Sequence, residues 1–337
     1  MKAFVVEGPH TGSVQGVPDA AAGTGEVVVD IHRAGVCGTD AEFWTGAMEY
    51  LHQDHARYPI RIGHEWSGVV SAVGPGVDPG WLGRRVTGDT MIGCGHCDRC
   101  LSGRHNVCED RFEIGIRRGF PGALAEQLAV PVTALLALPD TVDDTAGAMV
   151  EPGGSALRSV GSAALAAGDR LLVLGNGTIG LLVAEFARAA GAEVHLMGRS
   201  QLGFDFARTL GFAGIWERSE LPQLSWHAVI DATNAAELPG LALDLVEPGR
   251  RVVYIGISAT PSLIDTRTMV LKDVTAVGIL AASQGLAGTI DQYAAGNVDP
   301  RPLVAATVSL DRTGDVLSGW RPDNASGGPK IHIDPRL

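Results

Sequence analysis

Four consecutive apolar residues, Leu171-Leu172-Val173-Leu174, run directly into Gly175-Asn176-Gly177-Thr178-Ile179-Gly180. A stretch rich in Ala, Leu and Val follows from Ile179 to Ala190 and suits a buried helix. Further apolar runs at 194–197, 228–230, 251–255 and 274–277 repeat the pattern. Buried strands separated by helices require a parallel sheet covered on both faces. Residues 148–285 therefore read as a doubly wound α/β domain.

The G-x-G-x-x-G has a mechanism in that setting. Gly175 permits the tight turn, Gly177 lets backbone approach a pyrophosphate, and Gly180 allows close helix–strand packing. Asn176, Thr178 and Ile179 complete the turn, and the helix that opens there offers amide donors and a favourable dipole. The pattern alone also fits a structural Gly-rich turn; its place between strand and helix favours a dinucleotide. At the end of the second strand, NAD-selective sites usually carry an acid for the ribose 2′-hydroxyl. This chain has Gly198-Arg199-Ser200 there, and Glu193 precedes the strand rather than ending it. Arg199 and Ser200 are expected at a 2′-phosphate, so NADP(H) is the preferred cofactor and NAD(H) a possible one. The plainer alternative has Arg199 stacked on adenine or facing solvent.

Four of the five cysteines fall within fifteen residues: Cys94, Cys97, Cys100 and Cys108, in C-x2-C-x2-C-x7-C spacing. Short turns of this kind present four thiolates to one zinc, which closes the coordination sphere and makes the site structural. An iron–sulfur cluster is the alternative for three cysteines so spaced, but nothing else points to electron transfer. His96 and His105 are then expected at the surface. Cys37 stands in Gly-Val-Cys-Gly-Thr-Asp, His64 and Glu65 in Gly-His-Glu, and Glu151 in Val-Glu-Pro. A thiolate, an imidazole and a carboxylate can hold a catalytic zinc with one position open. Taken singly, Cys37 fits a core thiol and His64 a satisfied buried histidine.

Residues 1–147 are rich in short strands, such as 26–31 and 67–73, bounded by Gly and Pro. From 286 to 337 the βα alternation fades, and a tail strand at 331–334 is expected to return to the first domain. A formal charge of −12 disfavours nucleic acid and anionic membrane surfaces, and no apolar run is long enough to span a bilayer. With no long apolar leader and no cysteine pattern suggesting disulfides, a cytoplasmic protein is expected.

These motifs together resemble the zinc-containing medium-chain dehydrogenase/reductase family, in its alcohol, sorbitol and threonine dehydrogenase branches. The likeness runs over essentially the whole chain. It implies a β-rich GroES-like catalytic domain at 1–147, completed by 286–337, and a Rossmann domain at 148–285. It further implies two zinc ions per subunit and a small-molecule alcohol or ketone substrate, with a homodimer or homotetramer as the assembly. Cys37, His64, Glu65 and Glu151 match the family's catalytic-zinc neighbourhood, with either acid able to bind. Thr39 matches the hydroxyl that passes the substrate proton into a relay, whose end could be His52 or His55. Threonine dehydrogenases place a functional His just before the cysteine lobe, where this chain has Met91, so an amino-acid substrate fits less well. Thr39, Trp44, Glu65, Asp89 and Glu151 are the polar candidates to meet a hydroxylated ligand, which suggests a polyol, sugar alcohol or cyclitol. The competing functions are a zinc-independent quinone or enoyl reductase, a cofactor-sensing protein without catalysis, and an epimerase using bound cofactor.

Overall fold

The computed structural model describes all residues 1–337. The chain packs as two compact units, Met1–Glu151 with Asp299–Ser326 and Lys330–Leu337, and Pro152–Val298 with Gly327–Pro329. No helix is long and apolar enough to cross a membrane.

The first unit is built on the strand Glu26–Gly35, whose Val27, Val28, Val29, Ile31 and Ala34 are buried. It pairs antiparallel with Glu65–Val73, Gln127–Pro131 and the tail strand Lys330–Asp334. β-Branched residues favour this pleated, half-buried setting. The five tail-strand residues are all buried, and Val304–Ser309 pairs parallel with them on the far side. The end of the chain is thus inserted into the sheet. Trp66, Phe43, Ile31, Ile62 and Leu124 fill the core of this unit. Complete burial of each such side chain contributes about 1.5–3 kcal/mol.

The second unit contains a six-stranded parallel sheet. Its order is Gly214–Glu217, Glu193–Gly198, Arg170–Leu174, Trp226–Asp231, Val246–Tyr254 and Thr275–Gly278. Numbered along the chain this is 3-2-1-4-5-6, the doubly wound order in which dinucleotides bind at the carboxyl ends of the strands. Leu171, Leu172, Val173 and Leu174 are fully buried, which explains their unbroken apolar run. The helix Leu286–Ala294 stays with this unit, although the fading alternation suggested a change at 286. Its buried Tyr293 stacks on Phe186 at 6.0 Å, and that contact holds it there.

Candidate active site

Cys37 caps the helix Gly38–Thr45, which carries Thr39 and Asp40 in its first turn. Asp40 is fully buried and does two jobs. One oxygen accepts the Cys37 amide at 2.8 Å; the other accepts the Gly63 amide at 3.0 Å and lies 3.8 Å from His64 Nδ1. A single carboxylate therefore ties the cysteine segment to the histidine segment. Gly63 has φ +99°, and a side chain there would collide with the Leu124 backbone, so only glycine lets the chain turn into His64.

The Cys37 thiol, a His64 ring nitrogen and a Glu65 carboxylate oxygen all lie within 4.8 Å of one another. Gly35 makes room for Glu65, since a Cβ there would sit 2.1 Å from its Oε2. Glu65 meets Lys330 Nζ at 2.8 and 2.6 Å, and that ammonium also donates to Val36 O. Glu151, near the start of the helix Val150–Ala163, is outside this close group but interacts electrostatically with His64 and Glu65. Burial raises its carboxyl to about 7. Burial alone would lower the His64 imidazole, but Asp40, Cys37 and Glu151 outweigh it and hold it well above its ordinary value. The site thus gathers one thiol, one imidazole and three acids around a single lysine. That donor set suits a divalent cation, and zinc accepts sulfur, nitrogen and carboxylate oxygen alike.

The four clustered cysteines converge as a second group. Cys94 Sγ and Cys100 Sγ are 3.9 Å apart, and Cys97 Sγ and Cys108 Sγ 3.8 Å. A disulfide would bring sulfurs to about 2.05 Å. A zinc tetrahedron with 2.3 Å bonds has edges of about 3.8 Å, which these spacings match. Gly93 is required beside them, because a Cβ would meet Cys100 Sγ at 2.6 Å. His96 is exposed as expected, but His105 is half-buried and bonds to Asp89 at 2.7 Å. Asp89 also accepts the Met91 amide. It therefore braces the cysteine lobe rather than standing free for a ligand.

At the glycine turn, Gly175 has φ +104°. A Cβ on Gly180 would lie 1.9 Å from Gly175 O, whereas one on Gly177 would meet nothing within 4 Å. The tight positions are packing requirements, and the open one faces space that a ligand can enter. The helix Thr178–Ala189 starts at Gly177 without a side-chain cap, leaving its first amides available for phosphate. Gly198 makes room for Asn176, whose Nδ2 is buried with no hydrogen-bond partner. Ser200 caps the helix Gln201–Thr209 by accepting the Gly203 amide at 3.2 Å. Arg199 is exposed and lines a cavity of about 560 Å³ with Gly198, Glu217, Arg218 and Ser219.

Sequence reasoning missed Asp40, Lys330, Arg218 and Ser219. Asp40 had a local signal, since its spacing from Cys37 is that of a helix cap. Lys330, one of three lysines in the chain, is remote from Glu65 in sequence and gave none. Trp44 is a correction: it is buried against Phe4, with ring centroids 6.2 Å apart, and is a core residue rather than a ligand contact. His52 is exposed at the end of the short helix Glu49–His52, while His55 packs edge-on against Tyr50 at 5.5 Å.

Comparison with known proteins agrees with this construction. Residues 23–140 match the alcohol dehydrogenase GroES-like domain, and residues 178–295 match the zinc-binding dehydrogenase family. The 2-dehydro-3-deoxy-L-galactonate 5-dehydrogenase of Pseudoalteromonas atlantica is 30% identical over 91% of this chain and 89% of its own. The L-threonine 3-dehydrogenase of Sinorhizobium medicae is 27% identical over 96% and 97%. Among solved structures, the rspB alcohol dehydrogenase of Escherichia coli CFT073, complexed with NADH, superposes with a TM-score of 0.90. It is 27% identical, with 99% of each chain covered. The chain belongs to the zinc-binding dehydrogenases with a GroES-like domain. It is an alcohol dehydrogenase of the zinc- and nicotinamide-dependent class, acting on a small molecule.

Proposed function

We propose that Cys37 and His64, with Glu65 or Glu151 as the third ligand, hold the catalytic zinc, and that Cys94, Cys97, Cys100 and Cys108 hold a structural one. The observation that carries this is the convergence of the Cys37 thiol, the His64 imidazole and the Glu65 carboxylate within 4.8 Å, on segments joined by Asp40. Zinc held by these residues would supply Lewis acidity toward an alcohol or ketone oxygen, and a nicotinamide bound at the glycine turn would supply the hydride acceptor or donor. Asp40 positions the thiol-bearing and imidazole-bearing segments. Lys330 holds Glu65 through a two-point contact, so Glu65 stands in the close group with both oxygens already engaged, and ligation by it would compete with that contact. Thr39, in the first turn of the Cys37-capped helix, passes the substrate proton from its hydroxyl toward solvent.

A secondary alcohol of polyol, sugar alcohol or cyclitol type is the substrate class that this acidic, hydroxyl-bearing site supports. NADP(H) is the preferred cofactor; Arg199 and Arg218, with Ser219, outnumber the one acid of their cavity, Glu217 on the neighbouring strand, and the second strand itself ends in Gly198 with no acid, which supports a 2′-phosphate contact. The working form is a homodimer or homotetramer in the cytoplasm. Exposed Leu263, Val270 and Leu271, together with the sheet's outer strand Thr275–Gly278, support association between copies, and five cysteines with no disulfide among them suit a reducing compartment.

The test is a panel of polyols, cyclitols and simple alcohols with both cofactors, run on the protein and on Cys37→Ser. Turnover of a secondary alcohol that Cys37→Ser abolishes, with cofactor affinity retained, is the expected result. Near-normal kcat in the variant contradicts the assignment.

A further inference from the structure

Arg117 is a buried arginine with no anionic partner. It is 6% exposed; its Nε and Nη1 are shut off from solvent without a hydrogen-bond acceptor, and Nη2 is the guanidinium nitrogen left open to a ligand. Its one side-chain contact of note is the Tyr50 ring, 5.6 Å from the guanidinium carbon. The neighbouring acid is already committed. Glu113 accepts from Arg111 at 2.7 Å and from the Tyr50 hydroxyl at 3.2 Å, while Arg111 is further satisfied by Cys108 O and Tyr50. The cluster of Arg111, Arg117, Glu113 and Tyr50 therefore carries one uncompensated positive charge, in a chain whose formal net charge is −12. A desolvated cation without a counter-ion is costly, and contact with an aromatic face offsets only part of that cost. A guanidinium's fork of donors matches carboxylate and phosphate oxygens, which is the group this arrangement lacks.

Its place in the fold connects it with the zinc-ligand segment. The Arg117 loop is anchored to that segment by Ile114 N on Thr90 O at 3.0 Å, the Thr90 hydroxyl on His64 O at 3.3 Å, and Ala123 N on Gly63 O at 2.9 Å. A Cβ on Gly115, two residues before Arg117, would strike Gly63 O at 2.5 Å, so the two backbones are in direct contact. Tyr50, the stacking partner, lies in the short helix after the one that bears Thr39. The Arg117 loop is thus in backbone contact with the segment that carries His64, and its side chain lies against Tyr50, in the helix after the one that carries Thr39.

We propose that Arg117 recognises an anionic group, a carboxylate or a phosphate, on the hydroxylated substrate. The substrate is then a sugar acid or sugar-alcohol phosphate rather than a neutral polyol. This rests on the reading of Cys37 and His64 as the centre of oxidation, and the experiment separates the two. The zinc-loaded protein with NADP is titrated calorimetrically with sorbitol, D-gluconate and sorbitol 6-phosphate, and kcat/KM is measured across hexitols, hexonates and hexitol phosphates, for the protein and for Arg117→Gln and Arg117→Lys.

At least one anionic series is expected to bind and turn over about tenfold or more better than its neutral counterpart. The carboxylate and phosphate arms identify which group is read. Arg117→Gln should collapse that ratio, and Arg117→Lys should restore part of it. Equal binding and turnover of neutral and anionic compounds by the unmodified protein overturns the proposal, as does a ratio unchanged in Arg117→Gln. Should Arg117→Gln fail to fold, Arg117→Lys decides: a ratio below that of the unmodified protein is expected, and an unchanged ratio overturns the proposal. Turnover confined to neutral alcohols leaves the zinc-site reading standing and removes only the anion claim.

Discussion

Lys330 donates to both carboxylate oxygens of Glu65, at 2.8 and 2.6 Å, from a strand at the opposite end of the chain. Both side chains are buried. Burial alone would lower the Lys330 ammonium, but Glu65 and then Cys37 outweigh it and raise it above its ordinary value. The carboxyl end of the chain therefore holds a carboxylate that lies within 4.8 Å of the Cys37 thiol and a His64 ring nitrogen. The tail strand acts as part of the site as well as part of the sheet.

The buried pair should show strong coupling. Lys330→Met leaves Glu65 charged and unpaired, and breaking a buried pair this way typically costs about 3–5 kcal/mol. Glu65→Gln in the same chain should recover more than half of that loss, because no bare charge is left. Urea unfolding of the two single variants and the double variant measures the coupling. Strictly additive losses contradict the account.

His332 supplies a pH prediction. It is fully buried, both ring nitrogens lack partners, and burial followed by Lys330 and Arg33 lowers its pKa from 6.5 to about 3. The unfolded chain takes up a proton below pH 6.5 that the folded one refuses down to about 3, so stability falls as pH drops through that window. His332→Leu should remove this contribution, making the loss between pH 7 and 5.5 smaller by about 1 kcal/mol. Equal pH slopes for the two proteins contradict it.

The second unit was largely legible in sequence because a parallel sheet buries both faces of each strand and so writes unbroken apolar runs. Leu171 to Leu174 announced their strand, and Gly175 to Gly180 announced the turn. The zinc-ligand candidates were legible as types, since Cys37, His64 and Glu65 stand in short motifs. Lys330 and Arg117 were not. Their significance comes from partners, present or missing, that long-range packing alone decides. Trp44 was misread because a polar ring atom says nothing of which face of the helix Gly38–Thr45 the core will cover.

The two glycines of the turn should separate by substitution. Gly180→Ala places a methyl 1.9 Å from Gly175 O and should destabilise the protein by about 1–3 kcal/mol as backbone shifts. Gly177→Ala meets no atom within 4 Å, so thermal unfolding should change little. Its methyl projects into the space expected for pyrophosphate, and the Kd for NADPH should rise about tenfold or more. Undiminished cofactor affinity in Gly177→Ala contradicts the placement.

Cofactor choice should follow the arginines. A charged hydrogen bond to phosphate is worth about 1.5–3 kcal/mol, so Arg199→Ser should lower the NADPH-to-NADH ratio of kcat/KM by about ten- to a hundredfold. Arg218→Ser should move the same ratio in the same direction, since both residues line one cavity. A ratio that ignores both substitutions contradicts a 2′-phosphate site.

The central claim is that this chain holds two zinc ions in chemically distinct sites, one ligated by Cys37. Elemental analysis of the purified protein and of Cys37→Ala tests it most directly. Two zinc ions per chain, falling to one in Cys37→Ala with turnover lost, is the predicted result. A single zinc per chain at full occupancy, unchanged by Cys37→Ala, would contradict it.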